Sequence, residues 1–558
     1  MKNLIKYCKE KEIINYILII IASIIISIPL ANKNLNIYRD DGIQHICRII
    51  GTEQTLADKQ FLPMIMSNLC NNFGYSWNIF YSPLTAYMSV VFRIFNFSYV
   101  NCLKLCMFVI VLLSGLTMYK LTLRITKNKK LATLASIIYI LAPYRITDMY
   151  IRTALAELAS FIFIPIVFEG LYIILNEEKK SYKLALGAVG LILTHQVIAM
   201  YTAIICFIYL IVFFKKLKSK TVLKNIGVNL LFCLLMTSFY WVGLLQHYFN
   251  TCYEVFVPGR MEREEVLIFY KAKFSQLFIT NSEQTMIYAI GLLSVIGLVL
   301  TPIAYKKIPK EYKKTYMFFL ITGIVLIGMT LKIFPFEKLP QALTMLQFTF
   351  RLFTFTSFFF AFVVATNFAI LIKDFKTLDI VVLLTISILL LVPYKSKLDF
   401  NLQENEERLI NGVRVTENTG RVHAGMASME YLPTKAFKNL KYIANRKDEV
   451  MVLDNNEAVI SDYTKQASNM NCKISNINKE TTIELPYIYY LGYRVYANGQ
   501  EIKYTESDNG FIQINIAQDS QIKVKYLGTN EMLISYAVSI ISFAILIYLL
   551  KIKNSSNI

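Results

Sequence analysis

The sequence predicts an α-helical polytopic membrane protein with a mainly β domain just before its last helix. Three observations predict it. Of 558 residues, 55% are hydrophobic and 17% charged, with a mean hydropathy of +0.46, whereas a soluble chain carries about a quarter charged residues. Apolar runs long enough to cross about 30 Å of hydrocarbon recur along the chain. Near the C-terminus the pattern changes to strict alternation, then returns to a final apolar run.

The first run, "IINYILIIIASIIISIPL", has no small-residue cleavage pattern after it and reads as a retained anchor. Further spans fall near 101–119, 131–143, 154–175, 183–195, 197–214, 226–245, 285–304, 316–331, 343–371, 378–393 and 531–550, about twelve in all. With a cytoplasmic N-terminus this alternation puts each lysine-rich loop inside: Lys2 to Lys11, Lys120 to Lys130, Lys179/Lys180/Lys183, Lys215 to Lys220, Lys306 to Lys314, Lys373/Lys376 and the tail Lys551/Lys553. The net charge of +20 is therefore read as positive-inside topology facing anionic lipid, not as a nucleic-acid surface. Both termini are expected in the cytoplasm of a plasma-membrane protein.

That parity places the loop 31–100, the turn "PYRITDMYIRT", the loop 246–283 and the region 395–530 outside. The expected division is a transmembrane domain over 1–394, its first outer loop 31–100 carrying the chemistry, then an extracytoplasmic β domain over 395–530. A final helix and tail occupy 531–558. In the β region, "QIKVKYL", "FIQINIA" and "YRVYANGQEIKY" alternate, and Asn498-Gly499 and Asn509-Gly510 supply turn chemistry, so antiparallel hairpins in a sandwich-like domain follow. Nine cysteines occur without a C-x-x-C pair, and Cys472 stands alone in the β region, so no metal framework or disulfide staple emerges there.

Two polar constellations stand out. In "YRDDGIQHICRII", Asp41, His45 and Arg48 fall at i, i+4 and i+7, one face of a helix, with Asp40 beside them. A carboxylate base next to cations is one reading. A helix cap is the other, since Asp41 and Gln44 have capping-box spacing. In "APYRITDMYIRTALAE", Arg145, Asp148 and Arg152 share a face ahead of Glu157. Paired guanidinium groups suit a phosphate; a solvated Asp148–Arg152 pair worth only about 0.3–0.5 kcal/mol is the alternative.

Glu157, His195 and Arg351 lie in or beside apolar runs, where an unpaired charge costs at least about 2.5–3.5 kcal/mol, so they are expected to pair or to face a cavity. For His195 a hydrogen-bonded packing role is the simpler reading. Tyr75, Trp77 and Tyr81, in "NNFGYSWNIFYSPLTAY", suit either sugar stacking or interfacial anchoring. The acidic run "GRMEREE" reads as a solvated loop helix. There is no P-loop, dinucleotide fingerprint, zinc-protease motif or serine elbow.

The run from Asp40 to Leu84 resembles a family of bacterial polytopic proteins labelled 6-pyruvoyl-tetrahydropterin-synthase-related, and more distantly the YfhO-like membrane proteins. The matching positions are Asp41, His45, Gln60-Phe61-Leu62-Pro63, Gly74-Tyr75 and Phe80-Tyr81-Ser82-Pro83-Leu84. "APYRITDMYIRTALAE", "LTHQV", "LPQALTMLQFTFRLFTF", "EYLPTKA" and "ELPYIYYLGYRVYANGQEI" extend the resemblance over most of the chain. Ser82 replaces a usual proline, and Thr349-Phe350 stands where Pro-Trp is common. The label does not imply pterin chemistry, which needs a histidine triad, for this chain has four scattered histidines.

What the resemblance implies is a GT-C-like architecture and glycosyl transfer outside the membrane, from a polyprenyl-phosphate-linked sugar donor to a cell-envelope glycan or polymer. Asp41, then Asp40, would be catalytic. Arg145, Arg152, Arg351, His45 and Arg48 would meet the donor phosphate, and Asp148, Glu157, His195, Tyr75, Trp77 and Tyr81 would line the pocket. A divalent metal held by Asp40 is compatible with this plan. A transporter or flippase, or an assembly protein for lipid-linked glycans, is the rival reading.

Overall fold

A computed structural model describes residues 13–60, 64–259, 264–278, 286–402, 406–410, 426, 428–454 and 457–555. The lysines Lys2 to Lys11, the step Phe61-Leu62-Pro63 and residues 260–263 of "GRMEREE" lie outside the described residues. The main helices are α1 (Ile13–Ser27), α2 (Gly42–Ala57), α3 (Tyr99–Thr126), α4 (Lys129–Ile140), α5 (Leu155–Asn176), α6 (Lys183–Thr194), α7 (Gln196–Val212), α8 (Lys220–Met236), α9 (Ser238–Asn250), α10 (Lys310–Thr330), α11 (Leu352–Leu371), α12 (Thr377–Leu391) and α13 (Asn530–Ser555).

Among the described residues, seven segments are long and apolar enough to cross a membrane: Ile13–Ala31, Tyr99–Thr126, Leu155–Asn176, Lys310–Thr330, Thr349–Leu371, Thr377–Lys397 and Asn530–Ile552. The pair α8 and α9, bent by 64° at Thr237, makes an eighth if it is one broken span. The remaining expected spans correspond to shorter pieces. Helix α4 has 12 residues, with Leu131 to Ile140 all buried, and the 285–304 run is split into Leu292–Val299 and Thr301–Tyr305. A hydrophobic run that is buried on every side reads like a span in sequence, although protein rather than lipid surrounds it.

The chain forms two compact units that interleave along the sequence. The first comprises residues 1–42, 103–234 and 262–403. Its interior is built around α11, whose phenylalanine-rich sequence "LFTFTSFFFAFVVATNFAIL" is buried from Leu352 to Phe368 apart from Ser357. Helices α4 and α10 pack on it, and α5 pairs with α6. That last pairing depends on small residues. A Cβ at Gly170 would stand 2.3 Å from the Leu184 amide nitrogen, so only glycine permits the approach. Asn128 opens α4 by accepting from the amides of Lys130 and Leu131, both at 3.1 Å.

The second unit comprises residues 43–102, 235–261 and 404–558. Its strands are β1 (Met451–Val452), β2 (Val459–Gln466), β3 (Asn469–Ser475), β4 (Thr481–Ile488), β5 (Tyr493–Ala497), β6 (Gln500–Ile502), β7 (Thr505–Glu506), β8 (Phe511–Ile516) and β9 (Ser520–Tyr526). They form two antiparallel sheets, ordered β1-β4-β8-β7 and β2-β3-β9-β5-β6. The hairpin read from Asn498-Gly499 is the β5–β6 turn, with Ala497 opposite Gln500 and both turn residues at positive φ. Glu484 and Arg446, fully buried, pair at 3.0 Å and pin β4 to the helix Leu440–Asn445 that precedes the sheets. The loop after α2 joins this unit through aromatic packing: Phe80 stacks on Tyr431 at 5.3 Å, and the Phe73 carbonyl accepts from the Ile488 amide.

Candidate active site

The first unit holds a cluster of charges around one arginine. After α4, residues 143–146 make one helical turn, and Thr147–Ile151 widen into a π-helical turn closed by the Arg152 amide on the Thr147 carbonyl at 2.8 Å. Such single π turns recur at functional sites because they re-aim the side chains that follow. Thr153 then takes a left-handed conformation, φ 52°, costly for a β-branched residue. The kink turns Arg152 back toward the end of the 32–42 loop, where Asp40 is also left-handed at φ 46°. The Asp41 amide donates to the Arg152 carbonyl at 2.9 Å, so backbone as well as side chain ties the two segments.

The Arg152 guanidinium meets four carboxylates: Glu157 at 2.7 Å, Asp41 at 3.0 Å, Asp40 at 3.5 Å and Asp148 at 3.7 Å. It lies over the rings of Phe350 and Phe348, 4.9 and 5.6 Å from their centroids. Glu157 is the second node. Its Oε1 accepts from the Tyr144 hydroxyl at 2.8 Å and the Thr354 hydroxyl at 3.0 Å, and Arg351 Nε lies 3.5 Å from its Oε2. Arg351 is held in turn by the Leu346 carbonyl and the Gln347 side chain at 2.9 and 2.7 Å. Glu157 and Arg351 lie within ion-pair distance, which links α5 to the start of α11.

Exposure separates the carboxylates. Arg152, Glu157 and Asp148 are buried, whereas the Asp41 and Asp40 side chains are 31% and 50% exposed. The cluster is therefore a buried scaffold presenting two carboxylates at its rim. Burial pushes the Asp41 carboxyl above the ordinary range and the Asp40 charge adds to this, while Arg152 and Arg351 pull the other way. Asp148 is raised further by burial and by the Glu157 charge, and neither of its oxygens has a hydrogen-bond partner among the described residues.

Several expectations are corrected here. Asp41 stands just before α2, but its carboxylate accepts from Arg152, and no bond to it from the α2 amides is seen among the described residues. Arg145 does not join the carboxylates as a phosphate fork. It packs on Phe161 and Tyr139 at 4.2 and 5.1 Å, donates to the Tyr139 carbonyl, and burial lowers its pKa to about 10. The Asp148–Arg152 pair is not solvated. His195, read as a hydrogen-bonded packing residue, ends α6 and opens α7 with its Nδ1 accepting from the Ile198 amide at 3.3 Å, within electrostatic reach of Glu157 and Arg351.

His45, Arg48, Tyr75, Trp77 and Tyr81 belong to the second unit. Tyr75 and Trp77 lie in its core, packed edge-on with one another, with Trp77 edge-on and Tyr75 tilted against Tyr431. Among the described residues no three His, Cys, Asp or Glu side chains are grouped to hold a metal ion. Asp40 and Asp41 share the Arg152 cation.

Other site residues escaped the sequence reading. Tyr144 and Thr354 look like apolar-run filler until their hydroxyls are seen on Glu157. Tyr270 packs edge-on against Phe348 and Phe350, the rings beneath Arg152. Arg39 is half-buried, and its charge acts on the Asp399 carboxylate. A groove of about 470 Å³ in the same unit is lined by Ile25, Ile28, Ile146, Tyr150, Leu391 and Lys395, among others. Ile146 and Tyr150 come from the turn that delivers Arg152, so one segment shapes both groove and cluster.

These features describe a helical membrane protein with a rim-exposed carboxylate pair on a buried arginine scaffold. The chain belongs to the 6-pyruvoyl-tetrahydropterin synthase related family of membrane proteins, whose profile matches residues 79–401. An uncharacterized protein of Lactococcus lactis subsp. cremoris is 24% identical over 605 aligned positions, covering 96% of this chain and 95% of that one. Among solved structures, the mycobacterial arabinofuranosyltransferase AftD is similar at a TM-score of 0.44 and 9% identity, over 71% of this chain and 27% of that much longer one.

Proposed function

We propose that this protein is an integral-membrane glycosyltransferase that moves a sugar from a polyprenyl-phosphate donor to a cell-envelope acceptor at the outer face, with inversion. The observation that carries the reading is Asp41: a partly exposed carboxylate, fixed by Arg152 through side chain and backbone, with its pKa raised by burial. A carboxylate whose pKa is raised is a stronger base than a free one. Asp41 takes the acceptor hydroxyl proton as that oxygen attacks the anomeric carbon and lipid phosphate departs with the bonding pair. The leaving phosphate needs no proton, so one base suffices.

Arg152 and Arg351 are engaged by carboxylates, and their part is to position Asp41 and Glu157. Arg39, beside the two aspartates, and Lys395, at the groove, are the cations we assign to the donor phosphate. The groove's apolar walls suit a lipid chain, and the Tyr270 ring suits a sugar face. The test is Asp41→Asn in native membranes, assayed for sugar incorporation and for donor binding. Transfer falls by at least about 10²-fold, the low end for loss of a general base, while donor binding is retained. Unchanged incorporation excludes this reading.

A further inference from the structure

In the second unit, Arg48 on α2 is 1% exposed, yet it lacks what a buried guanidinium requires. Its Nη2 donates to the Ser82 carbonyl at 2.7 Å, but Nε and Nη1 have no hydrogen-bond partner among the described residues, and no carboxylate there lies within ion-pair distance. Its neighbours are aromatic: the Tyr81 and Trp77 ring centroids lie 4.6 and 5.7 Å from the guanidinium carbon. The phenol groups of Tyr81, Tyr431 and Tyr240 are the side chains that act on it electrostatically.

Two further buried hydroxyls lack partners near the same place in the chain. Thr52 lies one turn along α2 from Arg48, on its face, and Thr85 lies three residues past Ser82. Thus a buried cation with two unsatisfied N–H groups stands on α2 against the Ser82 carbonyl, the same two segments carry two buried threonine hydroxyls without partners, and no carboxylate of the described residues lies within ion-pair distance of the guanidinium. An uncompensated buried charge costs several kcal/mol, and native proteins rarely leave such donors orphaned. Cation–π contact with two rings offsets only part of that cost.

We propose that Arg48, with Thr52 and Thr85, forms a binding site for a small monovalent anion of halide size, separate from the carboxylate cluster of the first unit. Burial of the guanidinium favours a compact ion over a sugar phosphate. The anion neutralises Arg48, accepts from its free N–H groups and from the two threonine hydroxyls, and so stabilises the aromatic core built by Trp77, Tyr81 and Tyr431. This inference does not depend on the transferase reading.

The experiment is thermal unfolding of the purified full chain at constant ionic strength, with sodium chloride or bromide replacing sodium gluconate, and with inorganic phosphate as a separate arm. The Tm rises with halide and saturates, as a single-site ligand requires, while gluconate and phosphate give no such rise. In Arg48→Met the saturable rise disappears. Should that variant fail to fold, Thr52→Val with Thr85→Val serves instead, and the halide concentration for half the shift increases at least about tenfold, matching about 1.4 kcal/mol. A halide response that is absent from the native protein, or unchanged in these variants, overturns the proposal. So does protection by phosphate alone.

Discussion

At the residue scale, the site is a set of opposed effects on a few carboxylates. Asp40 raises the Asp41 pKa by like charge, and its own side chain is half exposed, so it can be neutralised without opening the core. Asp40→Asn is therefore expected to lower the Asp41 pKa. If Asp41 acts ionised, the acid limb of kcat/KM, which rises as Asp41 loses its proton, moves to lower pH in this variant. A limb that stays in place or moves up contradicts the assignment. Asp148 gives a stability test. Its folded pKa is raised, so its contribution is fully present below the unfolded carboxylate range and is lost as pH rises through the folded value. Asp148→Asn removes that loss, and thermal unfolding followed from pH 5 to 9 should decline less than in the native protein. If Asp148 were instead needed as an anion for Arg152, the variant would lose about 3–5 kcal/mol.

At the element scale, the π-helical turn and the two left-handed residues set the geometry. Gly42 closes the same corner: a Cβ there would lie 1.7 Å from the Ile37 carbonyl oxygen and 3.0 Å from Thr153 Cβ. Gly42→Ala is expected to displace the 37–42 loop, abolishing transfer at a stability cost of about 1–3 kcal/mol, the range for overpacking. Activity and Tm both at native levels would show the corner to be irrelevant. This scale also shows what the sequence could tell. The i, i+3, i+7 spacing of Arg145, Asp148 and Arg152 assumed a regular helix, and the extra residue of the π turn rotates Arg152 away from Arg145. Spacing identified the segment but not which arginine faces the carboxylates. Likewise Asp41 has the spacing of a cap, and only a contact 111 residues away reveals the pull of Arg152.

At the scale of the whole molecule, membrane character, the β region and the final helix were legible because hydropathy, alternation and Asn-Gly turns are local signals. The count of spans was less so, since buried helices such as α4 are as apolar as lipid-facing ones. The grouping of residues 43–102 with the β region was invisible, because it rests on long-range aromatic contacts such as Phe80 with Tyr431. Interleaving has a consequence for truncation. Deleting residues 451–526 removes the partners of Phe73 and Tyr253, including the Tyr490 ring stacked 5.8 Å from Tyr253, and exposes an aromatic core. Such a deletion is expected to lower yield in membranes severalfold; a deletion protein with native yield and melting behaviour would show that the β strands are dispensable.

The most direct measurement of the central claim is the Asp41→Asn comparison, made by quantifying lipid-linked sugars and envelope glycan in cells that carry the variant as their only copy. The expected result is accumulation of donor with loss of the glycosylated product, from a protein present at native level. Product and donor both at native amounts would contradict the role of Asp41 as the base.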